Sequence, residues 1–116
     1  MSTSIDANCL FCKIIDGQIP SQKLSEDEHS IAISDVNPQA PVHVLIMPKK
    51  HVASITALES PELTAHLFQK ARNLATELKL EKGFRIVVNT GEDGGQTVHH
   101  LHIHLLGGRA LGWPPG

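Results

Sequence analysis

Three histidines alternate with aliphatic residues near the C-terminus: His100, His102 and His104, separated by Leu101 and Ile103. Alternation with a period of two predicts a strand, and a strand would place the three imidazoles on one face. Val or Thr would make a better strand, so these imidazoles indicate chemistry near neutral pH. That chemistry is proton transfer, nucleophilic attack or metal ligation, and the segment alone leaves catalysis and metal binding open.

A glycine-rich loop over residues 90–97 precedes the histidines and contains the adjacent Gly94 and Gly95. Adjacent glycines allow backbone N–H groups to turn inward and form an anion-binding nest, and Gln96 and Thr97 add hydrogen-bond donors. No lysine follows and no helix is predicted to begin there, so the loop is not a P-loop. A plain hairpin turn is the alternative. Beside three imidazoles the loop predicts an oxyanion or phosphate cradle.

Cys9 and Cys12 have the C-x-x-C spacing at which two thiolates commonly share a tetrahedral zinc ion. A thioredoxin-like redox role would need a preceding strand, which the sequence lacks. Two small apolar core residues are the remaining alternative.

Hydrophobic periodicity and turn residues predict an α+β fold, with a mainly antiparallel sheet of about five strands, one long helix and one short helix. The short helix is expected within 9–15. The long helix begins after the cap Ser60 and its unit ends at Gly83. His29 and His66 are expected at the surface. The predicted strands, of which the first two form a hairpin, are 22–25, 30–34, 42–47, 84–89 and 98–106.

The composition describes one small domain, expected over residues 9–116, with a polar and disordered segment over residues 1–8. A net charge of −2 without a run of Lys or Arg argues against binding to nucleic-acid polymers. No membrane-spanning stretch or leader pattern is present, so we expect no membrane partner and a cytoplasmic protein. Cysteines in that compartment are reduced, which favours metal binding over a disulfide.

The segment 100–106, HLHIHLL, resembles the His-φ-His-φ-His-φ-φ signature of the histidine triad (HIT) superfamily. The segments around it are similar to the Hint branch of histidine triad nucleotide-binding proteins: 94–98, 107–109, 113–116 (WPPG), 35–43 and 46–51. The resemblance extends from Cys9 to the C-terminus. It implies the HIT fold and a homodimer in which two sheets join into one of ten strands.

The resemblance also implies a hydrolase that acts on purine nucleoside phosphoramidates linked to AMP or GMP, and on acyl-adenylates as a further substrate class. His102 would attack the α-phosphorus and form a nucleotidyl-imidazole intermediate, which water then hydrolyses. His104 would contact the phosphate and help to protonate the leaving amine, with His100 and His43 as further imidazoles of the catalytic site. A nucleotide-binding scaffold with incidental hydrolysis and a dinucleoside polyphosphate hydrolase are the alternatives.

The remaining implied roles concern the nucleotide and a metal. Nucleotide contacts would come from Asp35, Asn89, Gly95, Gln96, Thr97 and Trp113, with a base pocket of Leu10, Phe11, Ile14, Ile33 and Val36. Trp113 would reach leaving groups bound in the partner subunit. No catalytic cofactor is expected. A structural zinc ion would be bound by Cys9, Cys12, His51 and His100.

Overall fold

The computed structural model describes residues 6–116. Its helices are α1, Leu10–Ile15, and α2, Pro61–Glu77, with a 3-10 turn at Ile55–Ala57. Its strands are β1, Lys23–Glu26; β2, Ser30–Ser34; β3, Val42–Pro48; β4, Phe84–Val87; and β5, Ile103–Gly107. The five strands form one antiparallel sheet in the order β1-β2-β3-β5-β4.

The α+β fold with one long and one short helix is therefore confirmed, as is the β1–β2 hairpin. β2 has its predicted bounds, β1 is shifted by one residue, and β4 is two residues shorter than the predicted 84–89. Residues 1–5 of the segment expected to be disordered lie outside the described residues. Residues 6–8 lead into a turn in which Cys9 N–H donates to the Asp6 carbonyl at 3.0 Å. No helix within residues 6–116 is long and apolar enough to cross a membrane.

Both faces of the sheet are covered, because alternate residues of β2 and β3 enter two different cores. One core includes α2 and consists of Ala32, Val44, Ile46, Val52, Leu67, Ala71, Leu74, Ala75, Leu101, Ile103 and Leu105. The other includes α1 and consists of Cys9, Phe11, Cys12, Ile14, Ile31, Ile33, Leu45 and Met47. Double coverage explains why the middle strands are apolar without alternating polar residues.

α2 begins as predicted, with the Ser60 hydroxyl accepting a hydrogen bond from Leu63 N–H at 3.1 Å. The predicted end at Gly83 is wrong, because the helix stops at Glu77. Lys79 adopts a left-handed φ of 59°, and Leu80 N–H donates to the Ala75 carbonyl at 3.0 Å. This is a Schellman ending with lysine at the position that glycine usually occupies. It turns Leu80 back onto the α2 core.

The predicted strand 98–106 is also wrong in its first half, since β5 begins only at Ile103. Pro48 ends β3 and has no N–H to continue the ladder, and its carbonyl accepts a hydrogen bond from the His100 side chain at 2.8 Å. Leu101 N–H donates instead to the Val52 carbonyl at 2.7 Å. Only the last of the three alternating histidines therefore lies in a strand.

His66 was expected at the surface and is instead half-buried in a polar cluster that joins α2 to the β1–β2 turn. Its Nε2 lies 3.0 Å from an Asp27 carboxylate oxygen and 3.1 Å from the hydroxyl of the buried Ser30. Lys70 Nζ lies 2.6 Å from the same carboxylate. Burial opposes ionisation of Asp27, but hydrogen bonds from Lys70 and two backbone N–H groups hold the pKa of this carboxyl below its usual value.

Candidate active site

The register of β3 and β5 brings Asp35, His43 and His104 together on the α1 face of the sheet. His43 pairs with Leu106 and Leu45 pairs with His104, so the two histidines are diagonal neighbours on one face. His43 Nε2 lies 2.9 Å from His104 Nδ1 and 3.4 Å from a carboxylate oxygen of Asp35. The backbone supports this arrangement, since Asp35 N–H donates to the His43 carbonyl at 3.0 Å.

The tautomer of His43 follows from its other nitrogen. The backbone N–H of Gln39 donates to His43 Nδ1 at 3.0 Å, so Nδ1 is an acceptor and carries no hydrogen. In the neutral ring the hydrogen is therefore on Nε2. His43 thus donates to His104 Nδ1.

His104 consequently carries its own hydrogen on Nε2 when it is neutral. Burial, together with the neighbouring His102 and His43, lowers the pKa of His104 to about 4, so the ring is neutral at pH 7. A chain of hydrogen bonds from Gln39 through His43 therefore leaves His104 with one N–H that no residue of the chain accepts among the hydrogen bonds of residues 6–116.

His102 has the opposite tautomer. Its Nδ1 lies 2.7 Å from the His100 carbonyl, which can only accept, so the hydrogen is on Nδ1. Burial lowers the pKa of His102 below its usual value, and the neutral ring has an unprotonated Nε2. The Phe11 ring packs edge-on against the imidazole at a centroid distance of 4.9 Å. A buried neutral imidazole with a free lone pair can act as a nucleophile at pH 7.

His100 is fully buried and directs its two nitrogens to different partners. Nε2–H donates to the Pro48 carbonyl at 2.8 Å, and Nδ1 lies 3.4 Å from Cys9 Sγ and 3.5 Å from Cys12 Sγ. Burial lowers the pKa of His100 to about 4, so the ring is neutral at pH 7. Because its hydrogen is on Nε2, Nδ1 faces the two thiols with a lone pair that can bind a metal. His51 Nδ1 completes this cluster at 3.3 Å from Cys12 Sγ.

The four donor atoms of Cys9, Cys12, His51 and His100 all lie within 4.8 Å of one another. A tetrahedral zinc ion would place sulfur and nitrogen ligands roughly 3.5 Å apart, which agrees with the distances between these thiols and imidazoles. The Pro48 carbonyl supplies the outer hydrogen bond that usually orients a ligating histidine. Burial raises the pKa of the Cys12 thiol to about 11 in the protein without a metal. The residues present fit a zinc ion.

Asp35, His43 and His104 also place three potential ligand atoms together, but this cluster does not fit a metal. A histidine that ligates through one nitrogen donates its other N–H to an acceptor. His43 Nδ1 faces the N–H of Gln39 instead of an acceptor. A metal bound at Nε2 would force the hydrogen of His43 onto Nδ1, where Nδ1–H would point at the Gln39 N–H. The cluster is a hydrogen-bonding site.

The glycine-rich loop is tied together by its own polar groups. Gln96 donates both amide hydrogens, to the Ala53 carbonyl at 2.8 Å and the Val98 carbonyl at 3.1 Å, and its side-chain oxygen accepts from Gly91 N–H. The N–H groups of Gly95 and Gln96 also donate within the loop. The expected nest therefore has three of its N–H groups occupied, and Gln96 anchors the loop rather than offering free donors.

Asn89 and Thr97 lie at the two ends of this loop. The Asn89 amide donates to the Gly94 carbonyl at 2.7 Å, while Thr97 is exposed. Gly94 is required where it stands, because a Cβ there would overlap the backbone of Thr90.

The residues expected to form a base pocket divide into two groups. Phe11, Ile14 and Ile33 are buried together in the α1 core. Leu10 is 45% exposed and Val36 is 99% exposed. Trp113 is 83% exposed. The sequence did not indicate the contacts of Gln39 with His43 and of Pro48 with His100, because both are made by backbone atoms, which residue type does not reveal.

Comparison with known proteins assigns the chain to a family. The HIT domain matches residues 16–111, so the chain belongs to the HIT family. An uncharacterised HIT-like protein of Synechococcus elongatus is 49% identical over 109 residues, which cover 92% of this chain and 96% of that protein. Protein pkiA of Dictyostelium discoideum is 46% identical over 92% of this chain and 88% of its own length.

Solved structures agree with this assignment. A HIT family hydrolase from Legionella pneumophila superimposes with a TM-score of 0.92 at 49% identity, covering 94% of this chain and 100% of that one. A histidine triad nucleotide-binding protein from Candida albicans superimposes with a TM-score of 0.81 at 34% identity, covering 92% of this chain and 83% of that one.

The depressed pKa of His104 predicts that stability falls with acidification. Above the unfolded pKa of about 6.5 both states are neutral and His104 has no effect; below it the unfolded state binds the proton first. The free energy of unfolding therefore decreases as the pH falls from 6.5 towards the folded pKa of about 4. Urea unfolding at pH 7 and pH 5 should show a larger loss of unfolding free energy in the wild type than in His104→Gln, by roughly 2 kcal/mol. Equal losses in both proteins would contradict the assignment.

Proposed function

We propose that this protein hydrolyses purine nucleoside phosphoramidates through a nucleotidyl intermediate on His102. The observation that carries this proposal is the free Nε2 lone pair of a neutral His102, which the hydrogen bond from Nδ1 to the His100 carbonyl defines. Membership of the HIT family supports it, as do a relative named a HIT family hydrolase and another named a nucleotide-binding protein.

The proposed reaction has two steps. His102 Nε2 attacks the α-phosphorus, a new N–P bond forms, and the substrate's P–N bond breaks as the amine departs with a proton taken up from solvent. Water then attacks the same phosphorus, displaces His102, returns one proton to solvent and releases the nucleoside monophosphate. His104 is suited to assist, because its Nε2–H can donate to a phosphate oxygen or to the leaving nitrogen.

The nucleotide would be bound by residues of the same face. Asp35 presents one carboxylate oxygen to ribose hydroxyls while the other accepts Asn37 N–H at 2.8 Å. Phe11, Ile14 and Ile33 would support the base from the α1 core. The loop that contains Asn89 and Thr97 would lie beside the phosphate.

Replacing the nucleophile tests this proposal. His102→Ala should lower AMP release from an adenosine phosphoramidate by at least about 10³-fold, because no other group replaces the attacking lone pair. The exposed His29 provides a matched control, and His29→Ala should retain the wild-type rate. Turnover that survives His102→Ala would contradict the assignment of the nucleophile. A folded wild type that binds AMP without turnover would favour a nucleotide-binding scaffold, and faster cleavage of diadenosine polyphosphates would favour that alternative substrate class.

We also propose that Cys9, Cys12, His51 and His100 hold a structural zinc ion. A bound zinc would tie the N-terminal segment to the histidine segment and supply folding energy. Cys9 and His51 also line a cavity of about 260 Å³, so two of the four ligands border open space.

Metal analysis tests the zinc proposal. Protein purified without chelator should contain about one zinc per chain, and Cys12→Ser should contain much less, because a hydroxyl is a poor replacement for a thiolate. Chelator should lower the Tm of the wild type and leave that of Cys12→Ser unchanged. Substoichiometric zinc in the wild type together with a Tm insensitive to chelator would contradict the proposal.

The dimer and the cytoplasmic location stay predictions. Two features of the single subunit support pairing. β4 is an outer strand of the sheet, where another strand can be added. Phe84 in β4 is 44% exposed and Phe68 in α2 is 39% exposed, although each would normally be buried. In a homodimer the exposed Trp113 could reach the partner's leaving-group site.

A further inference from the structure

The loop between β2 and β3 contains a backbone N–H, that of Gln39, that donates to a histidine of the candidate site. Gln39 N–H points at His43 Nδ1, while the Gln39 side chain turns away and donates to the Asn37 carbonyl at 3.0 Å. His43 is 7% exposed, so water competes weakly for this hydrogen bond. The contact at His43 is therefore made by backbone alone.

An exposed side chain, that of Arg109, contacts that backbone. It lies two residues beyond the end of β5, and its Nε donates to the Gln39 carbonyl at 3.0 Å. Its Nη1 donates to the Ala110 carbonyl at 3.0 Å, which holds the guanidinium in place. Gly108 has a φ of +92° and packs so close to Pro41 that a Cβ would lie 2.9 Å from its ring. The segment after β5 is thus pressed against the loop that carries Gln39.

We infer that Arg109 and the backbone N–H of Gln39 form a latch that selects the tautomer of His43 and, through it, the nitrogen on which His104 carries its hydrogen. Both are positioning residues, since neither touches the reacting atoms. The inference rests on the proposed function only in its kinetic consequence. The tautomers themselves are properties of the free protein.

The consequence of losing the latch follows from the two hydrogen bonds in series. The two neutral forms of an imidazole differ little in free energy, so the groups that face its two nitrogens decide between them. Gln39 N–H at Nδ1 and the Asp35 carboxylate at Nε2 both favour the Nε2–H form of His43. Without Gln39 N–H, His43 can carry its hydrogen on Nδ1 and accept at Nε2. His104 would then donate from Nδ1 to His43 Nε2, and its own Nε2 would carry no hydrogen. Loss of the Gln39 N–H would therefore alter two rings and remove the donor available to a phosphate.

A pair of substitutions at one position isolates the backbone donor. Gln39→Pro removes the N–H, whereas Gln39→Ala removes only the side chain and keeps the N–H. Long-range ¹H–¹⁵N correlation spectra at pH 7.5 should show His43 and His104 as Nε2–H tautomers in the wild type and in Gln39→Ala. In Gln39→Pro both rings should shift towards Nδ1–H. Unchanged tautomers in a folded Gln39→Pro would overturn the inference.

A second pair of variants tests Arg109 and covers the case in which Gln39→Pro fails to fold. Arg109→Ala releases the Gln39 carbonyl. Arg85→Ala removes a matched guanidinium that donates to the Gly112 carbonyl at 2.8 Å and does not reach Gln39. Arg109→Ala should shift the His43 tautomer and Arg85→Ala should not. The same spectrum in both variants would overturn the role of Arg109.

Kinetics separate this inference from the proposed function. Relative to Gln39→Ala, Gln39→Pro should lower kcat for an adenosine phosphoramidate by roughly 10-fold or more, with little change in KM. The reason is that the lost donor, His104 Nε2–H, acts mainly in the transition state. If the wild type lacks this activity while the tautomers respond as described, the proposed function fails and the latch stands. If tautomers shift and kcat does not, the latch has no role in the reaction.

Discussion

One hydrogen bond, from His102 Nδ1 to the His100 carbonyl at 2.7 Å, decides what the histidine segment can do. It places the lone pair of His102 on Nε2. The bond is possible because residues 98–102 are irregular: in a continuous strand the backbone groups of this segment would be used in the sheet ladder. The proline that ends β3 contributes to this irregularity: in the register of β3 and β5 it would face Leu101, and it has no N–H with which to extend the ladder.

His100 links two sites that are otherwise separate. Its side chain faces the thiols of Cys9 and Cys12, and its carbonyl holds His102. The Pro48 carbonyl fixes the ring between them. A metal ion at the thiols would restrain the same residue that orients His102, and would thereby tie the N-terminal segment to the proposed nucleophile.

The sequence was sufficient wherever side-chain type determines structure. β2, the strand β3 and the capped start of α2 follow from apolar patterns and from Ser60. The four potential metal ligands were named from the resemblance, and the structure brings them within 4.8 Å. The sequence was insufficient where backbone groups decide: the late start of β5, the left-handed Lys79 and the occupied N–H groups of the glycine loop.

The most direct test of the central claim is to locate the covalent intermediate. Wild-type protein mixed with an adenosine phosphoramidate and quenched in milliseconds should carry a nucleotidyl group, and peptide mass spectrometry should place it on His102. A nucleotidyl group on His104 or on another residue would contradict the tautomer assignment. Turnover without any trapped intermediate under conditions that make hydrolysis of the intermediate limiting would contradict nucleophilic catalysis by His102.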